Sequence, residues 1–410
     1  MKKSLLDISN LPEIEPITKK EYQIMNESVD IDKKYSLPKK TVMCKKCVMT
    51  NQRPRITINS DGICNPCKYW EKKKKIIDWD KRAEEFSVLC DKYRKSDGSF
   101  DVLVPSSGGK DSIYVAYKLK DDYGMNPLTV TWAPSLYTEI GFQNFHSHIQ
   151  YGLDNVLVTA NGLVHRRLCR SATIYMGEPF QPFIYGQVNV PLRIAKAYDI
   201  GLILDGENGE VEYGGDDDSE DSTGFNNDDS VEYWQSGMPV ENWLDFGYKQ
   251  SELYVYQPPK DKVKVQRAFF SYYHNWRPHD HYYYASGRSG FVSNPDRSEC
   301  TFSRYASLDD SVDPFHYYFG LLKFGIGRAT YDVSQELRNN HLTIEEGKKL
   351  IKKYDGEFPN VYFDEIMDYL SIKKEFFFKN LNRFRSPHLW KKVNKIWKLR
   401  HTANYDGTDD

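Results

Sequence analysis

Ser107-Gly108-Gly109-Lys110-Asp111-Ser112 follows the apolar run Val102-Leu103-Val104 and opens onto an apolar-periodic segment beginning at Ile113. A strand, a glycine turn and a helix start are expected in that order. Two adjacent glycines let the backbone come close to an anion. The free amides and dipole of a helix N-terminus favour negative charge there, so the turn is expected to hold phosphate. It differs from the G-x-x-x-x-G-K-[ST] loop in its shorter spacing and in having Asp111 after the lysine.

Downstream, short β-rich runs recur at 102–105, 128–132, 155–159 and 202–205. Between them, apolar side chains fall at helical spacing: Phe142, Phe145 and Ile149; Val164, Leu168 and Ala172; Val190, Ile194 and Ala197, with Pro191 read as a first-turn residue. This alternation predicts an α/β fold with a doubly wound parallel sheet. Ligands in such sheets sit beyond the carboxyl ends of the strands, so the loops at Ser106, Ala133, Ala160 and Gly206 should converge on one cleft. From Tyr331 onward the pattern is helical. Thr343-Ile344-Glu345-Glu346 has capping-box spacing, 362–370 and 372–384 read as helices, and Pro387 suits the first turn of another. A Lys-rich solvated helix is expected near 71–95, and the acidic run 216–229 reads as a mobile solvated loop.

Seven cysteines include the pairs Cys44-x-x-Cys47 and Cys64-x-x-Cys67, separated by 16 residues. That is the spacing of a four-cysteine zinc module. Four thiolates close a tetrahedral shell without a place for water, so a structural Zn²⁺ is expected. Asp61-Gly62 and Asn65-Pro66 supply turn chemistry around the second pair. Residues up to Pro38 show no sustained periodicity and read as an arm or cap.

The 56 basic and 58 acidic residues nearly cancel to a formal charge of −2, which gives no reason to expect a nucleic acid or an anionic membrane as partner. No apolar run reaches transmembrane length, and Met1-Lys2-Lys3 leads into Asp7, Glu13 and Glu15 without an apolar core segment; a cytoplasmic protein is expected. Paired cysteines fit metal binding in a reducing compartment better than a disulfide framework. Most of the 30 tyrosines are expected to serve packing.

SGGxDS resembles the signature of the PP-loop ATP pyrophosphatases, of the adenine nucleotide alpha hydrolase-like fold. Those enzymes hold the β,γ-pyrophosphate of ATP as leaving group and transfer AMP to an oxygen of the substrate. Further segments resemble the N-acetyl sugar amidotransferases, PP-loop enzymes that install acetamidino groups on bacterial surface sugars such as pseudaminic acid, for O-antigen or flagellin glycans. They include MCKKCVMTNQRPRITINSDGICNPC at 43–67, LVHRRL at 163–168, GEPFQPFIYGQVNVPLRIA at 177–195, LDGENGEVEYGG at 204–215, FGIGRATYDVSQE at 324–336 and FRSPHLWKKVNKIWKLRH at 384–401. The organisation expected is an arm at 1–38, a zinc ribbon at 39–75, a PP-loop ATP pyrophosphatase domain at 76–330 and a C-terminal helical subdomain at 331–410.

The resemblance implies ATP-dependent replacement of an amide oxygen by nitrogen. Ser107, Gly108, Gly109, Lys110, Asp111 and Ser112 would form the pyrophosphate cradle, with Asp111 the first candidate for Mg²⁺. Glu207 and Glu210, and less certainly Glu212, would orient substrate, Mg²⁺ or ammonia past a strand end; Lys323 and Arg328 would reach pyrophosphate or an acidic sugar. His165, Arg166 and Arg167 read equally as helix-face ion pairs or as substrate contacts. Gln181, Tyr185 and Gln187 are candidates to touch the sugar, and His274 and His316 are left unassigned.

A glutaminase needs an activated cysteine on a glycine-flanked elbow or at the mature N-terminus. Cys90, Cys169 and Cys300 lack flanking glycines and Lys2 follows the first methionine, so a separate class I glutaminase is the implied source of ammonia. The acceptor is an N-acetylated sugar or sugar nucleotide. A tRNA-thiolating PP-loop enzyme would share the activation step but expects a basic surface and a reactive cysteine pair in its catalytic domain. A catalytically silent zinc-ribbon interaction protein is the remaining alternative.

Overall fold

The computed structural model describes residues 4–215, 221–224, 234–261 and 263–402. Ahead of the sheet lie the short helices α1 (Lys19–Ile24) and α2 (Ile31–Lys34) and the longer α3 (Asn65–Lys75) and α4 (Trp79–Tyr93). The Lys-rich helix expected near 71–95 is therefore two, broken where Asp78 caps α4 by accepting from the Lys81 amide. Strands and helices then alternate: β1 (Val102–Pro105), α5 (Lys110–Asp121), β2 (Pro127–Trp132), α6 (Glu139–Gln150), β3 (Asp154–Val158), α7 (Gly162–Met176), α8 (Gln181–Ala197), β4 (Leu202–Asp205) and α9 (Gly209–Tyr213). A short α10 (Gln250–Leu253) precedes β5 (Gln266–Phe269), α11 (Phe270–Tyr273) and α12 (Pro278–Ser289). The C-terminal part holds α13 (Asp313–Phe324), α14 (Arg328–Arg338), α15 (Ile344–Tyr354), α16 (Phe363–Leu370), α17 (Lys374–Arg383), and the strands β6 (Trp390–Val393) and β7 (Ile396–Leu399).

Five strands pair in parallel in the order β3-β2-β1-β4-β5. The chain winds outward through β2 and β3, then crosses back to add β4 beside β1. The crevice at the carboxyl ends of β1 and β4 is therefore the switch point where ligands collect. Successive side chains of a strand point to opposite faces. Val102, Val104, Leu202 and Leu204 join Phe86, Ile113 and Ala285 on the side covered by α4, α5 and α12. Leu103 and Ile203 join Leu168, Ala172 and Val190 on the side covered by α7 and α8. The fold is the doubly wound α/β sheet expected, with a four-cysteine cluster ahead of it and helices after it.

Several local expectations are corrected. The fifth strand was not anticipated: Gln266-Arg267-Ala268-Phe269 carries a charge, and its apolar run passes without a break into α11. Asn65-Pro66 starts α3 rather than forming a turn, and Pro191 lies inside α8, whose first turn holds Pro182. Among the described residues no helix follows Pro387. Residues 390–399 form an antiparallel hairpin whose loop residues, Asn394 and Lys395, have φ of +49° and +69°, the signs of a type I′ turn. The N-terminal residues are part of the core, since Ile8, Ile31 and Leu37 are buried against Phe315, Phe363 and Phe377. Apart from 221–224, the acidic run 216–229 lies outside the described residues. No helix among them is long and apolar enough to cross a membrane.

Candidate active site

A cavity of about 1380 Å³ opens at the carboxyl ends of β1 and β4, lined on one side by 105–107 and 109–112 and on the other by 205–207. Gly108 turns the chain with φ +86°, and its missing side chain matters: a Cβ there would sit 2.6 Å from the Phe145 backbone of α6. The Ser106 hydroxyl accepts from the Gly108 amide at 3.3 Å and meets the Ser112 hydroxyl at 2.9 Å. Gly109 is the N-cap of α5 and offers no side-chain acceptor, so the first amides of the helix face the cavity uncapped. These features fit an anionic phosphate. Of the loops expected to converge, those at Ser106 and Gly206 reach the cavity; β2 contributes Val130 and Trp132, and Ala133 and Ala160 lie off it.

Asp111 carries the charge of this turn. Burial alone would raise its carboxyl, but the Lys110 ammonium and the ring of His281 outweigh it and hold the group well below the usual carboxylate range. His281 Nδ1 is 2.8 Å from Asp111, and its Nε2 accepts from the Arg277 amide. The ring, stacked on Tyr114, is therefore the Nδ1–H tautomer donating to the carboxylate. Glu207 is the counterpart. Burial and the nearby Asp111 charge push its carboxyl up to about 7, and it accepts from the Tyr213 hydroxyl at 3.1 Å. An ionised and a near-neutral carboxyl thus border one cavity, a division of states suited to metal binding and to proton transfer respectively.

The far wall comes from α13 and α14. Lys323, buried, stands 3.6 Å from Glu178, which also holds His316 at 2.8 Å. Arg328 pairs with Asp332 at 3.1 Å and lies over the Tyr317 ring, 4.3 Å from its centroid. Its turn is fixed by Asp355, whose carboxylate accepts from the amides of Gly327 and Thr330 and from the Thr330 hydroxyl. Sequence reasoning missed His281, Glu178, His316 and the cavity-lining Asp309 and Asp313. The only sequence signal for Glu178 was its place in the GEPFQ segment.

Other candidates are placed elsewhere. Glu210 is not on the cavity wall; it pairs with Arg55 at 2.7 Å, and Glu212 pairs with buried Lys73 at 2.7 Å. Together with Arg53 on the Gly214 carbonyl and Asn65 on that of Gly215, they lash α9 to the cysteine module. Arg166 donates to the carbonyls of Tyr369, Pro12 and Asp368, Arg167 pairs with Glu15 and Glu252, and His165 bonds Tyr256 and Ser135. All three brace the fold instead of reaching a substrate. Of the sugar-facing candidates only Gln187 lines the cavity; Gln181 bonds the Trp234 carbonyl and Ser236, and Tyr185 bonds the Met238 carbonyl.

The four cysteines of the paired motifs are buried, with potential ligand atoms all within 4.8 Å of one another. Cys44 and Cys67 sulfurs are 3.9 Å apart and those of Cys47 and Cys64 3.4 Å. Zn–S bonds of about 2.3 Å in a tetrahedron put sulfurs about 3.8 Å apart, so the donor set fits a closed zinc site. The module packs through Ile56 on Ile326, and the Ser334 hydroxyl of α14 donates to the Cys47 carbonyl.

No curated protein gives a significant match to the chain. Among solved structures, the U34-tRNA thiolase NcsA from Methanococcus maripaludis, solved with its [4Fe-4S] cluster, is similar at 13% identity and a TM-score of 0.25 over 74% of this chain and 89% of that one. The topology here rests on the strand pairing itself. Residues 299–403 match the family model described as LPS biosynthesis protein WbpG-like, C-terminal domain. That matched part, which holds α13–α17 and the β6–β7 hairpin behind the SGGKDS turn and its parallel sheet, fits the resemblance that the motifs carry.

Proposed function

We propose that the protein is an AMP-forming amidotransferase that converts the N-acetyl group of a surface-glycan sugar, free or nucleotide-activated, to an acetamidino group. One observation carries the reading: the uncapped start of α5, ionised Asp111, Glu207 and the cations Lys110, Lys323 and Arg328 share a single cavity. An acetamido carbonyl is resonance-stabilised and its oxygen leaves poorly, so ammonia alone does not displace it. ATP changes the leaving group. The carbonyl oxygen attacks the α-phosphorus of ATP and the bond to the β-phosphate bridge breaks, releasing pyrophosphate; loss of the amide N–H proton leaves an O-adenyl imidate. Ammonia adds to the activated carbon, AMP departs with the C–O electron pair, and a proton lost from nitrogen leaves the amidine.

The residues divide the work by position. The amides of α5 and Lys110 neutralise the pyrophosphate as charge develops on it, and Asp111 supplies the carboxylate for Mg²⁺. Glu207, with a carboxyl near neutrality, takes the proton released as ammonia attacks. Lys323 and Arg328 hold phosphate or sugar carboxylate from the opposite wall. Burial raises the thiols of Cys90, Cys169 and Cys300, Cys90 to about 12. Such thiols are poor nucleophiles, which supports ammonia delivered by a separate glutaminase and weighs against sulfur transfer. ATP as co-substrate implies work in the cytoplasm.

The test incubates the protein with ATP, Mg²⁺, ammonium and a panel of N-acetyl sugars and their nucleotide forms. Expected are AMP, pyrophosphate and a product with NH in place of O, all lost in Asp111→Ala. ADP in place of AMP, or full turnover in that variant, would sink the proposal.

A further inference from the structure

Three side chains with no part in that chemistry meet where Glu336 borders the cavity. His279 stands in the first turn of α12. Glu336 lies near the end of α14 and borders the cavity. His341 follows α14, where Asn340 takes φ +59° and the His341 amide returns to the Glu336 carbonyl at 2.9 Å. Potential ligand atoms of all three lie within 4.8 Å of one another. The two imidazole centroids are 4.9 Å apart, and His341 Nδ1 is 2.5 Å from the Glu336 carboxylate.

We propose that His279, Glu336 and His341 form a second metal site, which takes a divalent ion of the zinc class and keeps a coordination position open toward the cavity. A simple ion pair accounts for His341 with Glu336, but not for a second imidazole brought to the same point from a distant helix. Ligand atoms at bonds of about 2.0–2.2 Å around a tetrahedral ion are about 3.3–3.6 Å apart, a closure that small rotations of these incompletely buried side chains supply. Two imidazoles and one carboxylate favour zinc, cobalt or nickel over magnesium and calcium, which prefer oxygen alone. The outer layer is also in place: Tyr305 holds His279 Nδ1 at 3.2 Å, which orients the ring and leaves Nε2 for the ion. The other face of the connection is the cradle, because the Lys110 ammonium lies 5.4 Å from the centroid of the same Tyr305 ring. A bound ion would join α12, which carries the His281 partner of Asp111, to α14, which carries Arg328.

The site stands whether or not the cavity works on a sugar, and its test reads metal directly. The full-length protein is dialysed against Zn²⁺ and its metal counted, then stripped and refilled with Co²⁺ for visible spectra. The cysteine site gives a thiolate-to-cobalt charge-transfer band and the histidine site gives none. Expected are two equivalents of zinc per chain in the wild type and one in His341→Ala and in Glu336→Gln, with the thiolate band unchanged. The second equivalent should raise the melting temperature of the wild type and leave that of both variants unmoved. A wild type that binds one equivalent, or a second equivalent that survives both substitutions, overturns the proposal.

Discussion

Asp111 and Glu207 show how neighbours set two carboxyl groups apart inside one cavity. Cationic Lys110 and the donor His281 keep the first ionised, while burial and that same negative charge raise the second to about 7. The rate of amidine formation, measured with free ammonia held constant, should therefore fall as pH drops below about 7, as Glu207 becomes protonated and can no longer accept a proton. Glu207→Gln should lower the rate by about 10²–10⁴-fold and flatten that limb; a limb that persists in the variant belongs to another group. Stability runs the other way. Because the folded-state carboxyl is raised, the contribution of Glu207 to stability is complete below the ordinary carboxylate range and is lost as pH rises through about 7. Titrating unfolding of wild type against Glu207→Gln between pH 5 and 8 reads that difference directly.

At the scale of elements, the glycine turn and the cysteine module each position something beyond themselves. Gly108 sits where α6 passes under the turn, so Gly108→Ala meets both a left-handed φ and the Phe145 backbone. The expected cost is about 2–4 kcal/mol in chemical denaturation, from backbone strain and overpacking together, with ATP binding weakened as the turn shifts. The module grips α9 through Arg55–Glu210 and Lys73–Glu212, directly after Glu207, and grips α14 through Ser334. Cys47→Ser or chelation should remove one equivalent of metal, lower the melting temperature and impair turnover, although no cysteine of the module lines the cavity. Unchanged melting after complete removal of that metal would show that the module is not held by it.

For the whole molecule, the N-terminal residues close the core that the C-terminal helices begin. Ile31 is 1% exposed and belongs to the cluster of Phe315, Phe363 and Phe377. Ile31→Ala should cost about 2–5 kcal/mol in denaturant unfolding, as at any well-packed interior position; a surface arm would show almost nothing. The parallel sheet, the helix capped by Thr343 and the four-thiolate cluster were legible in the sequence, because each rests on local spacing: short β-rich runs separated by helical periodicity, a Thr-x-x-Glu box, two C-x-x-C pairs. So was the glycine turn between β1 and α5, since strand, glycines and helix start adjoin along the chain. What the sequence could not say is which distant side chains meet. Glu207 and Glu210 read alike in GENGE, yet one faces the cavity and the other pairs with Arg55. His281, Glu178, His316 and the group His279, Glu336 and His341 acquire partners only when helices far apart in the chain pack together, and no local periodicity records that contact. Segment chemistry thus came from the sequence, while the charge states and pairings of the site were decided by tertiary packing, which alone sets burial and the distance between charges.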